Sequence, residues 1–79
     1  MTAIVNIFLK EGVLDPQGKA IHHALDAMDF EGVEDVRMGK QLVIKLTSTN
    51  KEDAMNEVTK MAKDILANTV IEDYKIELI

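Results

Sequence analysis

Residues 2–10 alternate, with Ala3, Val5, Ile7 and Leu9 on one side and Ile4, Asn6 and Phe8 on the other. A period of two with one continuous apolar side predicts a strand whose apolar side is buried. Asp15-Pro16 then opens a helix. The Asp side chain can accept from the first free backbone N–H groups, and Pro suits the first helical position. Ile21, Ala24, Leu25 and Met28 fall on one helical face, and Lys19, His23 and Asp26 on the other. Gly32 is the stop signal expected just beyond the end.

Two further strands are predicted over Val33–Met38 and Leu42–Thr47, around Gly39-Lys40. A three-residue loop brings Met38 opposite Leu42 and Val36 opposite Ile44, which groups apolar side chains and is the preferred register. Thr49-Asn50-Lys51-Glu52 has capping-box spacing and starts a second helix, with Ala54, Val58, Met61 and Ile65 as its buried stripe. Asn68 is a plausible left-handed stop. Val70, Tyr74, Ile76 and Leu78 alternate in a last strand, with Asp73, Lys75 and Glu77 facing away.

The predicted order is βαββαβ. It implies an α+β domain of ferredoxin-like type, a four-stranded antiparallel sheet with both helices on one face. The other sheet face would be uncovered, with Ile4, Phe8 and Val43 at its centre and Asn6, Lys10, Lys45 and Lys75 around them. An apolar centre with a charged rim suggests self-association, as a homodimer or homotetramer.

Size sharpens that expectation. The chain has 79 residues, one domain covering 1–79. Such a domain buries only about 60% of the surface its unfolded chain exposes, so partners are a common source of further stability. There is no cysteine, which removes disulfides, thiolate metal sites and a cysteine nucleophile from consideration. The net charge is −5 and the pI about 4.8, the wrong sign for a nucleic-acid binder. Phe8, Phe30 and Tyr74 are the only aromatics, too few for a base-stacking platform. No apolar run approaches the roughly 20 residues of a membrane span, and the N-terminus lacks the features of a signal peptide. A soluble, cytoplasmic protein is the expectation.

Candidate chemistry is sparse. Gly12 to Lys19 looks like a phosphate loop at first sight, but five residues separate its two glycines where the motif has four. Ala20 stands where a magnesium-binding Ser or Thr belongs, Pro16 removes a donor, and Asp15 would repel phosphate. A capped strand-to-helix turn accounts for the segment better. His22 and His23 are adjacent, so they point about 100° apart on a helix, whereas a zinc pair wants a spacing of four. The carboxylates Glu31, Glu34, Asp35, Glu52, Asp53, Glu72 and Asp73 are scattered and read as a solvated acidic surface. Ser48 is the only serine and lies in a cap. The methionines Met28, Met38, Met55 and Met61 read as gap-fillers. No catalytic residue and no metal site are expected.

Three segments carry a resemblance to a known family. They are Leu9-Lys10-Glu11-Gly12-Val13-Leu14-Asp15-Pro16-Gln17-Gly18, then Val36-Arg37-Met38-Gly39-Lys40, and finally Leu66-Ala67-Asn68-Thr69-Val70-Ile71-Glu72-Asp73-Tyr74. In order and separation they resemble the PurS family from end to end. The resemblance implies a ferredoxin-like oligomer within phosphoribosylformylglycinamidine synthase, in the fourth step of de novo purine synthesis. It implies that a glutaminase subunit (PurQ) makes ammonia, that a large synthetase subunit (PurL) binds ATP and uses the ammonia, and that the assembled enzyme uses ATP and magnesium. The resemblance also implies that the small subunit bridges the two and binds no cofactor itself. On that footing the turn Asp15, Pro16, Gln17, Gly18 is the first candidate for docking a partner, with Arg37 and Lys40 second. Ile4, Phe8 and Val43 are candidates for self-association. A ligand-sensing regulatory domain on the same fold is the alternative reading, and a small free-standing enzyme a third.

Overall fold

The computed structural model describes residues 1–79. Strand β1 (Thr2–Leu9) lies at the centre of a three-stranded antiparallel sheet, between β2 (Gly39–Lys45) and β3 (Glu72–Leu78). The register places Leu42 and Ile76 on either side of Val5, and Ile44 and Leu78 on either side of Ala3. The period of two in β1 and β3 therefore builds one continuous apolar face. Helix α2 (Lys51–Met61) covers that face through Ala54 and Val58, with Ala62 one turn further on. Ala3, Val5, Ile7, Val58 and Ala67 form the buried core, with Leu42, Ile44, Tyr74 and Ile76 packed around it. Alanines at the contact let the helix backbone approach the sheet closely.

Two expectations at α2 need correction. Its N-cap is Asn50, whose side chain accepts from the Asp53 N–H at 3.1 Å, so the helix starts one residue later than the Thr49 spacing implies. Its end is a π turn, Ala62–Leu66, closed by a bond from the Ala67 N–H to the Ala62 carbonyl. A regular α-helix would aim Ile65 down the Ala54–Val58 stripe. The wider turn rotates it outward, so Ile65 is 80% exposed while Leu66 and Ala67 turn in. Val70 likewise precedes β3 and is exposed.

The larger difference concerns the first half. Helix α1 (Pro16–Ala27) does not lie on the sheet; it projects beyond its end as an arm and makes almost no contact with any strand. It ends at Ala27, with Asp29 in the left-handed region at φ 66° and the Phe30 N–H bonded to the Leu25 carbonyl, ahead of Gly32. Residues 33–38 form no strand. Gly39 and Lys40, expected in a hairpin loop, pair with Phe8 and Ile7 in β1 instead. The four-stranded sheet with two helices on one face is thus absent from the single chain; the observed α+β fold has three strands. Local bonds explain the difference. The segment 33–38 runs antiparallel along α1, with the Val33 carbonyl accepting from His22 Nε2 and the Val36 N–H bonded to the Asp35 side chain. Its backbone groups are engaged there and not in a ladder.

The molecule is consequently long, with extents of 49 × 25 × 14 Å and a radius of gyration of 16.0 Å. A compact chain of this length would have about 12 Å. Its 5938 Å² of accessible surface is roughly a quarter more than the about 4,800 Å² of a compact monomer of equal mass. The excess sits partly on α1, where Ile21, Ala24 and Met28 are exposed together with Leu14 and Phe30. No helix is long and apolar enough to cross a membrane.

Candidate functional site

The antiparallel register brings the end of β1 beside the beginnings of β2 and β3. Three chain segments far apart in sequence, around Leu9, Gly39 and Glu72, therefore meet at one end of the sheet. Direct bonds join them. The Lys10 N–H donates to the Ile71 carbonyl at 2.8 Å, and Lys10 Nζ lies 3.2 Å from the Asp73 carboxylate. Arg37 Nη2 donates to the carbonyls of Val13 at 2.8 Å and Lys10 at 3.2 Å.

Asp15 is the most buried polar side chain of this region, at 4% exposure. Its Oδ1 accepts from the Gly18 N–H at 2.9 Å, which is the cap read from the sequence. Its Oδ2 accepts from the Met38 N–H at 2.7 Å, a link between residues 23 apart. Gly18 is required beside it, because a Cβ there would overlap the Val36 carbonyl oxygen. The same arrangement rules out phosphate binding at this helix start. The carboxylate already occupies the position an anion would take, so the turn does not fit a nucleotide.

The Asp15 carboxyl is held below its ordinary value of 3.8, first by the Gly18 N–H, then by the Met38 N–H, with the Arg37 charge adding to both. Partial desolvation works in the other direction. A depressed folded-state pKa contributes stability that is complete above the unfolded value and is lost as pH falls through the folded one. The cap and the link to Met38 are therefore intact at neutral pH and fail only in acid, below 3.8. In NMR the amide resonances of Gly18 and Met38 should titrate together with a midpoint below 3.8. In Asp15→Asn that shared titration should vanish; its persistence would show that another group causes it.

The remaining candidates divide. Gln17 and Lys40 are exposed, and Lys40 has no ion-pair partner within the chain. Arg37 is exposed, but its guanidinium is engaged by two carbonyls. His22 bonds to Val33, with the Asp26 carboxylate 3.7 Å away, while His23 is exposed. No three potential ligands converge as a metal site would need. A hollow of about 230 Å³ lies among Ile7, Leu9, Gln17, Met38, Lys40 and Glu72. Small-molecule sites run to about 300–1,000 Å³, so this one suits a single side chain better than an effector.

Sequence reasoning missed the order in the turn before β3. The Asn68 carbonyl accepts from the N–H groups of Ile71 and Glu72, its Oδ1 accepts from the Val70 N–H, and its own N–H donates to Glu72 Oε1. An Asn followed four residues later by a Glu was the available signal. On the outer sheet face Ile4 lies opposite Val43, which is 60% exposed, and Lys75 Nζ sits 5.9 Å from the Phe8 ring centroid. The three self-association candidates thus share one face, as expected.

Known proteins agree with this arrangement. The model of the family PurS, phosphoribosylformylglycinamidine (FGAM) synthase, matches residues 2–79. The PurS subunit of that synthase from Bacillus subtilis is 45% identical over 75 residues, covering 94% of this chain and 87% of the relative. The crystal structure of Methanocaldococcus jannaschii PurS is 42% identical, with a TM-score of 0.86 over 96% of this chain and 92% of that one. A chain in the structure of PurLQS from Thermotoga maritima is 27% identical and superposes with a TM-score of 0.89, covering 99% and 95%. A match over nearly every residue, in sequence and in this extended shape alike, settles the membership: the chain belongs to the PurS family.

Proposed function

We propose that this chain is the small, non-catalytic subunit of phosphoribosylformylglycinamidine synthase in purine biosynthesis, docking the glutaminase and synthetase subunits side by side. One observation carries the reading: the three segments that resemble the family are remote in sequence yet form one hydrogen-bonded surface at the end of the sheet. A surface built from family-specific segments, with no constellation for chemistry, is a recognition surface. The turn Asp15–Gly18 supplies its shape. Gln17 and Lys40 supply free polar groups, and the hollow between them takes an anchoring side chain of the partner. Docking has a chemical purpose. Ammonia released to water is protonated and ceases to be a nucleophile, so its source and its consumer must be held together and shielded. ATP and magnesium belong to the assembled enzyme, in the cytoplasm.

Self-association is part of the reading. The apolar stripe Ile21, Ala24, Met28 of α1 is uncovered, and the sheet face beside α2 is only half covered at Leu42 and Ile44. The surface in excess of a compact monomer is roughly 1,100 Å², more than the about 800 Å² each partner contributes to a standard interface. A second copy that lays its α1 on this sheet would restore the ferredoxin-like layering between two chains. The outer face around Ile4, Phe8 and Val43 serves a further contact between copies.

Co-elution tests the docking surface. With the glutaminase and synthetase subunits, magnesium, ADP and glutamine present, the double variant Gln17→Ala, Lys40→Ala should bind at least about tenfold more weakly. Its own mass by light scattering should not change. Undiminished co-elution would remove the assignment of these two residues.

A further inference from the structure

We infer that the contacts between residues 10–22 and 33–38 form a latch that keeps α1 off its own sheet, with Arg37 as the positioning residue. The inference rests on the reading of α1 as an element offered to a second copy. Its readout, the position of the arm within one chain, is independent of complex formation.

The same sequence has a closed alternative. Residues 33–38 alternate well enough to add a fourth strand, and the outer edge of β2 is unpaired within the chain. In that arrangement α1 would fold back, and its stripe of Ile21, Ala24 and Met28 would cover Leu42 and Ile44 of its own sheet. A chain closed in this way satisfies its own apolar surface and has less to gain from a partner. Open and closed forms of one sequence are the two ends of segment exchange, and small local features decide between them.

Each latch contact stands in the way of closure. Arg37 ties residue 37 to the carbonyls of Lys10 and Val13. Asp15 ties the Met38 N–H to the start of α1. Gly18 admits the Val36 backbone against the first helical turn, and His22 holds the Val33 carbonyl one turn further along. To form the fourth strand all four must break, and Gly39–Gln41 must leave β1, where they pair with Phe8, Ile7 and Asn6. Of the four, Arg37 alone joins the two connecting segments with no bond to the helix, since Asp15 also caps α1 through the Gly18 N–H. It acts through the backbone it positions: one guanidinium nitrogen, Nη2, reaches both carbonyls and holds the two segments together.

Because the chain has no cysteine, two spin labels can be placed cleanly, at His23→Cys on α1 and Lys60→Cys on α2. Labelled chain is diluted into unlabelled chain so that only distances within one molecule are read. With Arg37 intact, a single long distance is expected. Arg37→Ala should add a shorter population, raising the closed fraction roughly tenfold. Arg37→Lys keeps the charge but replaces the rigid, planar guanidinium with a flexible ammonium, so it should shift the same way by less; if Arg37→Ala fails to fold, this variant decides. A distribution unchanged in the folded variants overturns the latch. So does a broad smear with no short population, which would mean that Arg37 orders the arm without opposing closure.

Discussion

Gly18→Ala is expected to detach α1 from the segment beside it while leaving the sheet and α2 folded. The added Cβ would overlap the Val36 carbonyl oxygen and lie 3.0 Å from the Val36 carbonyl carbon. Both are backbone atoms, so no side chain can swing aside. The Asp15 Cγ is 3.1 Å away on the other side, so the helix cannot retreat without disturbing its cap. Overpacking against such neighbours costs about 1–3 kcal/mol, and a backbone obstacle belongs at the upper end. A domain of this size has only about 4–12 kcal/mol in total. The arm, which shares almost no contacts with the core, has less than that holding it in place. The loss should therefore be local. Amide exchange would show α1 and residues 33–38 losing protection while Val5, Ile7 and Val58 keep theirs, and complex formation with the larger subunits should fall sharply. Gly12→Ala is the comparison. Gly12 has φ 86° but open space around it, so only the left-handed penalty of about 1–2 kcal/mol applies. A Gly18→Ala chain with a fully protected arm would contradict the packing described at Val36.

What could be read in the sequence follows from how local each determinant is. The alternation in β1 and β3 is set by one buried face and was legible, as were α2 and the Asp15-Pro16 start of α1. The second bond of Asp15, to Met38, was not legible, because nothing at either residue announces the other. That bond, with His22 on Val33 and Val36 against Gly18, diverts 33–38 from the ladder its alternation suggests. The stripe on α1 was real, but a stripe says that something must cover it and not which chain supplies the cover. Ile65 failed for a different reason. Reading a helical face assumes a constant rotation per residue, and the π turn at Ala62–Leu66 breaks that assumption. At the site, Asp15 and Gln17 of the turn line one hollow with Lys40, a juxtaposition that their separate places in the sequence did not announce. Arg37, expected to meet a partner, is bound to its own backbone, since its neighbours Lys10 and Val13 are adjacent only once the strands have paired.

The second large effect concerns the assembled enzyme. If this chain holds ammonia's source against its consumer, omitting it should separate two activities that normally run together. The synthetase fed with concentrated ammonium salt has no need of a docked glutaminase and should proceed as before. The same enzyme fed with glutamine should slow by at least about 100-fold, because ammonia must cross bulk water and is protonated there. Adding the chain back should restore the glutamine-fed rate with a saturating dependence on its concentration. The Gly18→Ala chain should restore much less at equal concentration.

The decisive measurement is the ratio of glutamine-fed to ammonium-fed formation of the amidine product, taken with and without this polypeptide. A ratio that collapses on omission and recovers on addition is the predicted result. An unchanged ratio in its absence would contradict the central claim.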